Sequence, residues 1–207
     1  YGLMKVPMII KDKQYLHFQL PQLRIFFTFN PKVVLCFLWF FAPYLSEAQS
    51  FYSDEGRASF TSSVPLYEFT GTSTYLTGKI DSDHLTVDFY LDLETLDSGI
   101  KKRDKDMRLT LNTAQYPFAE FYGTLVDSID VNSADVQKVT AKGIFSIHGQ
   151  KREITVNGEL IPVQDNYRLK SEFEITLDDY GITPPSLLIV KVDPIQKIAI
   201  DILLYKE

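Results

Sequence analysis

Cysteine is almost absent from this sequence. A single residue, Cys36, serves 207 positions, which excludes a disulfide framework and any zinc site built on cysteines. Histidine is scarce as well. His17, His84 and His148 lie far apart along the chain and leave no His-rich metal set, so neither metal nor other cofactor is expected. A block of positive charge is missing too: 21 Lys and Arg face 27 Asp and Glu, a formal −6. Without a basic face, no nucleic-acid partner is expected. Motifs with a fixed local spacing, G-x-S-x-G, G-x-G-x-x-G, the P-loop and H-E-x-x-H, do not occur. Thr77-Gly78-Lys79 lacks the glycine-rich loop of a Walker motif. No repeat at solenoid period and no low-complexity tract appears. What remains is a composition of 45% apolar and 23% charged residues, ordinary for a soluble globular protein, with aromatics high at 14%.

The first 48 residues differ from the rest. Lys5, Lys11, Lys13, Arg24 and Lys32 precede an apolar run, VVLCFLWFFAPYL, at 33–45, and Ser46-Glu47-Ala48 follows. A basic region, an apolar region and small residues at −3 and −1 make a secretory signal peptide cleaved after Ala48. The run falls short of the roughly 20 residues that span a bilayer; an uncleaved N-terminal anchor is the alternative. The basic region is long and begins at Tyr1, so residues before about Lys32 are read as an upstream extension outside the native protein. Cys36 is not a lipidation site, because apolar residues follow it. The division is therefore a signal segment at 1–48 and one domain at 49–207, placed in the periplasm or secreted. Five basic and two acidic residues precede Gln49, leaving 16 against 25, a formal −9.

Within that domain the dominant period is two. Leu85, Val87, Phe89, Leu91 and Leu93 alternate with Thr86, Asp88, Tyr90 and Asp92, a half-buried strand with one wet face. The pattern returns at 119–125, 139–147, 154–160, 169–177 and 198–204, and Thr/Ser-rich strands at about 58–65 and 69–80 precede these. Asp81-Ser82-Asp83, Asn132-Ser133, His148-Gly149 and Asp165-Asn166 supply turns. About eight long strands joined by short turns predict an all-β fold, a single closed antiparallel barrel. Residues 101–113 lack alternation and predict one short helix, after which Pro117 opens a strand. The 181–194 stretch, with Pro184-Pro185, predicts a loop over the barrel mouth or wall.

Several residues admit two readings. Gly71, Gly123, Ala141, Gly143, Gly158 and Ser171 interleave large residues on the inner faces. Small residues either leave room for a guest or let the strands bend sharply around a filled core. His148 ends a strand before a turn; a ring bonded to backbone is favoured there over a base or metal ligand. His84 reads as a solvated turn residue. Arg103 and Arg108 are candidates to meet an anionic head group at the mouth, but an Arg–carboxylate staple fixing the helix is the favoured role.

Three stretches carry a resemblance. Residues 93–121 hold Ser98-Gly99, Arg103-Asp104, Met107-Arg108 and Tyr116-Pro117 followed by Phe121. Residues 143–156 hold Ile147-His148-Gly149, and Asp179-Tyr180-Gly181-Ile182 precedes the final strand. In this order and spacing, the sequence over 57–205 resembles the YceI-like family of secreted lipid-binding proteins. Two departures stand out: Asp106 occupies a position where the family usually has His, and the segment between Arg108 and Tyr116 is shorter and lacks a Phe pair.

The resemblance implies an eight-stranded, lipocalin-like barrel holding a long apolar chain, a polyisoprenoid or isoprenoid quinone, with the membrane only as the source of lipid. It favours the open cavity over the filled core. The alternation then assigns the lining to Phe69, Leu85, Val87, Phe89, Leu91, Phe121, Leu125, Phe145, Ile147, Phe173, Ile175, Ile198 and Ile200. No catalytic residue is assigned. An enzyme acting on an apolar substrate inside the barrel and a ligand-free structural module are the alternatives. A homodimer through a strand edge or the 181–194 loop is left open.

Overall fold

The period-two segments form strands, and the strands close on themselves. In the computed structural model, residues 49–64, 67–183 and 192–207 are described; the expected signal segment and residues 184–191 of the expected loop lie outside them. The strands are β1 (Ser50–Val64), β2 (Tyr67–Asp81), β3 (Thr86–Asp92), β4 (Phe118–Leu125), β5 (Gln137–Ile147), β6 (Gln150–Val163), β7 (Asn166–Thr176) and β8 (Ile195–Lys206). Each pairs antiparallel with the next, and β8 returns to β1. Closure leaves no strand edge without a partner. Residues 46–207 form one compact unit. With its edges paired and its core inside, that unit carries what it needs to fold by itself.

Alternation decides which way each side chain faces. In β3, Val87, Phe89 and Leu91 are buried while Asp88 and Tyr90 are exposed. At the end where β1 begins and β8 finishes, the barrel is plugged. Phe51, Leu160, Tyr167, Ile202 and Leu204 are buried there, and Phe51 meets Tyr167 edge-to-face with ring centroids 5.0 Å apart. Burying each such side chain stabilises the fold by about 1.5–3 kcal/mol relative to leaving it in water.

Two strand starts differ from the sequence expectation. β1 begins at Ser50, well before residue 58, because its pairing with β2 shifts register between Ser53 and Gly56 and again between Gly56 and Ala58. Each bulge breaks the alternation on which the expectation rested. Leu85, expected to lead β3 on its inner face, lies instead in the preceding turn with φ of 57°. The Asp81 carboxylate accepts from the backbone N–H of Asp83 (3.0 Å) and of His84 (2.9 Å), which folds the chain back before the strand can start.

The small inner residues serve two purposes. Gly123 and Gly143 are cross-strand partners, and a Cβ on Gly123 would sit 2.5 Å from the Lys142 carbonyl oxygen. Their glycines permit a close backbone approach. Gly71 is covered by the ring of its partner Phe60, and Gly78 by the ring of its partner Phe89. Ala141 and Ser171 instead border the cavity, as does Gly158, where a Cβ would also come within 3.1 Å of the Lys170 carbonyl oxygen.

The one α-helix among the described residues, α1 (Lys101–Leu111), follows a 3₁₀ turn at Leu93–Thr95. It ends at Asn112, whose left-handed conformation lets its N–H reach the Arg108 and Leu109 carbonyls. Ile100, before the first turn, offers no capping side chain. Ser98 takes over that anchoring: its amide (2.9 Å) and hydroxyl (2.5 Å) both donate to the Asp104 carboxylate. No helix among the described residues is long and apolar enough to cross a membrane.

Candidate functional site

The barrel encloses a cavity of about 480 Å³. That volume lies within the ordinary range for a small-molecule site. It opens at the end opposite the plug, where the exposed Tyr67, Ile100 and Lys102 line it. On β7 the lining runs from Ile175 near the mouth to Leu169. Six residues at about 3.3 Å each, on strands tilted about 40°, make a well roughly 15 Å deep.

Twelve of the thirteen expected lining residues border this cavity: Phe69, Val87, Phe89, Leu91, Phe121, Leu125, Phe145, Ile147, Phe173, Ile175, Ile198 and Ile200. Leu85 does not. The turn that displaces it from β3 leaves it half-buried against the core. Two aromatic contacts organise the wall: Phe145 meets Phe173 at 5.8 Å and Tyr180 at 5.6 Å, both edge-to-face.

Helix α1 closes part of the mouth. Arg103, Asp106, Met107, Thr110 and Leu111 face the cavity, the i, i+3, i+4, i+7, i+8 spacing of one helical face. Lys101, Lys102, Lys105 and Leu109 are exposed. That spacing was available in the sequence, but with only two apolar residues on the face it does not announce a lining. Ile182 and Val192, which flank residues 184–191, also border the cavity.

The two head-group candidates separate. Arg103 lines the mouth, but its guanidinium is engaged: Nε donates to Ser98 Oγ (3.0 Å), Nη2 donates to the Ser98 carbonyl (3.3 Å), and Cζ lies 4.8 Å from the centre of the Phe69 ring. Arg108 does not border the cavity. Its Nη2 donates to the Glu94 carbonyl at 3.0 Å, and Nε lies 3.2 Å from Glu94 Oε2 as an ion pair outside hydrogen-bond alignment. Arg108 is the staple that the carboxylate reading favoured, joining the helix to the segment that leaves β3. Asp104, buried beneath, is held below the ordinary carboxylate pKa by the Ser98 hydroxyl and amide, with both guanidiniums adding to the effect.

The residues of the three signature stretches meet at the mouth end. His148 and Gly149 form the two-residue β5–β6 turn, both with positive φ (54° and 73°), as a tight hairpin requires. A Cβ on Gly149 would lie 2.6 Å from the Tyr116 ring, and that ring also packs against His148 at 5.5 Å. His148 Nδ1–H donates to the Tyr180 carbonyl at 3.1 Å. This is the backbone-bonded turn histidine expected from the sequence. Burial pushes the Tyr180 phenol up, and the Arg152 guanidinium lies 6.0 Å from its ring. The shared function of these side chains is to lock the turns around the opening.

Charged lining residues (Lys102, Arg103, Asp106 and Glu120) belong to α1 and the mouth half of β4. Below them, ionisable side chains other than Tyr90 are absent from the lining among the described residues. No group of three His, Cys, Asp or Glu among those residues could hold a metal ion.

Comparison with known proteins agrees with this architecture. The chain matches no curated protein. A polyisoprenoid-binding domain from Saccharophagus degradans, implicated in plant cell wall breakdown, superposes with a TM-score of 0.65 at 17% identity, covering 77% of this chain and 99% of that one. BcnA of Burkholderia cenocepacia superposes with a TM-score of 0.59 at 15% identity, covering 72% and 95%. The model of the YceI-like domain matches residues 50–204, the whole barrel but for its last residues, and the chain belongs to that family.

Proposed function

We propose that this protein binds a long-chain apolar lipid, of the polyisoprenoid or isoprenoid quinone class, inside its barrel, and sequesters or transports it. The observation that carries the reading is the cavity itself: a well of about 480 Å³, open at one end and walled by aliphatic and aromatic side chains. An apolar tail leaving water for such a well gains about 0.8 kcal/mol for each buried CH₂. The fold is shared with a polyisoprenoid-binding domain, which supports the same ligand class. A binding role rather than catalysis is supported by the placement of charge at the rim. Action in the periplasm or outside the cell rests on the signal-like pattern of residues 1–48.

Phe145→Trp tests the reading directly. Residues 46–207 contain no tryptophan, since Trp39 precedes them. The new indole would stand in the cavity wall. Titration with prenols and isoprenoid quinones should change its fluorescence in a saturable way. No change with any long-chain ligand refutes the proposal.

A further inference from the structure

Near the mouth the apolar wall is interrupted by two polar side chains on neighbouring strands. Ser62 of β1 and Gln196 of β8 are cross-strand partners, and both line the cavity. Ser62 is 1% exposed, and its hydroxyl has no hydrogen-bond partner among the described residues. A buried hydroxyl without a partner is disfavoured, and such groups in folded proteins call for an explanation. At this inward position, two residues beyond Phe60, alternation would place a hydrophobe.

Gln196 is 5% exposed, and its orientation is fixed. Nε2 donates to the Asp193 carbonyl (2.6 Å) and to the Ile195 carbonyl (3.2 Å). Because both partners are acceptors, the atom between them is the amide nitrogen. That leaves Oε1 as an acceptor for which no described residue provides a donor. Residues directly opposite on paired strands have Cβ atoms about 5 Å apart, a gap that one oxygen atom can bridge. The Phe60 and Phe69 rings, edge-to-face at 6.0 Å, stand beside this pair.

We propose that Ser62 and Gln196 form a subsite for a ligand hydroxyl, so that the chain prefers a long-chain alcohol to a quinone or a bare hydrocarbon. The inference rests on the lipid-binding reading and deepens it. With the Ser62 side chain turned toward the bore, a hydroxyl can accept from its Oγ–H and donate to Gln196 Oε1 at once. A quinone carbonyl or an ether can only accept, and a hydrocarbon does neither. The position suits an amphiphile that enters tail first: the tail fills the well, and the oxygen stops at the neck. Arg103 does not compete for the oxygen, since Ser98 and Phe69 already engage its guanidinium.

The test compares hexadecan-1-ol, its methyl ether and hexadecane for binding to residues 46–207, in wild type and in Ser62→Ala. Wild type should bind the alcohol about tenfold more tightly than the hydrocarbon, with the ether below the alcohol. Ser62→Ala should remove most of that preference and leave the melting temperature equal or higher, because it deletes an unpaired group. Equal wild-type affinity for alcohol and hydrocarbon overturns the subsite, as does a preference that survives Ser62→Ala. The wild-type comparison needs no variant to fold. Hexadecane binding reports on the cavity alone: if neither hexadecane nor the alcohol binds, the lipid-binding reading itself fails and the subsite falls with it.

Discussion

Ser171→Phe sets binding against stability. Ser171 lies on β7 inside the barrel, four residues below Ile175, and borders the cavity. Four residues at about 3.3 Å, on strands tilted about 40°, place it roughly 10 Å below the mouth, with about 5 Å of well beneath it. A phenyl ring projecting from this position occupies the bore and denies that lower part to a ligand. Carbon–carbon bonds of about 1.5 Å advance an extended chain by about 1.25 Å per CH₂, so about four methylenes are displaced. At about 0.8 kcal/mol each, affinity for a chain that reaches the plug should fall by about 3 kcal/mol, roughly 200-fold. Stability should not follow. The ring enters existing space and buries apolar surface, which offsets loss of the 2.6 Å bond from Ser171 Oγ to the Asn157 carbonyl. Ser171→Ala removes that bond without filling the bore, and it should keep full affinity. The assays are ligand titration and thermal unfolding of all three proteins. Unchanged affinity in Ser171→Phe would show that the ligand never passes this level. A collapse of the melting temperature in Ser171→Phe alone would show that there is no room there.

Three further outcomes follow from the same geometry. Gly123→Ala should cost about 2 kcal/mol of unfolding free energy in urea titrations, since its Cβ meets the Lys142 carbonyl at 2.5 Å and backbone must move; a variant as stable as wild type refutes the close approach. His148→Ala removes the bond to the Tyr180 carbonyl and the packing of Tyr116; it should lower stability by about 1–2 kcal/mol and leave the lipid class unchanged, whereas altered ligand selectivity would point to a direct binding role. Asp104 has its folded pKa depressed by Ser98, so its contribution is complete above the unfolded value of about 3.9 and is lost as pH falls through the lower folded value. Urea midpoints taken downward from pH 5 should therefore fall less steeply in Asp104→Asn than in wild type, and superimposable acid limbs would remove Asp104 from the account.

Most of the barrel was readable from period-two alternation, which is clean in strands such as β3 and β7, where one face is buried and the other is wet. The lining residues on β3, β4, β7 and β8 follow directly from it. Alternation fails where the backbone departs from a simple ladder. The bulges between Ser53 and Ala58 hid the first part of β1, and the Asp81 turn moved Leu85 off the inner face. Small residues were ambiguous for a physical reason: glycine serves close backbone approach at 123 and 143, a ring cover at 71 and 78, and at 158 a tight seat against Leu169 and the Lys170 carbonyl at the cavity wall. Only three-dimensional neighbours separate these cases. Arg103 and Arg108 look alike in sequence, yet one reaches the mouth and the other only Glu94. Ser62 and Gln196 were silent, since a polar residue at an inward position gains meaning only when its partners are known to be missing.

Whether the well holds lipid when the protein comes from cells is the central question. Residues 46–207, purified without detergent, would be measured by native mass spectrometry and then extracted with organic solvent. The expected result is a complex heavier than the chain by one long-chain apolar molecule, recovered in the extract. A bare chain mass that stays unchanged when prenols and isoprenoid quinones are supplied would contradict it.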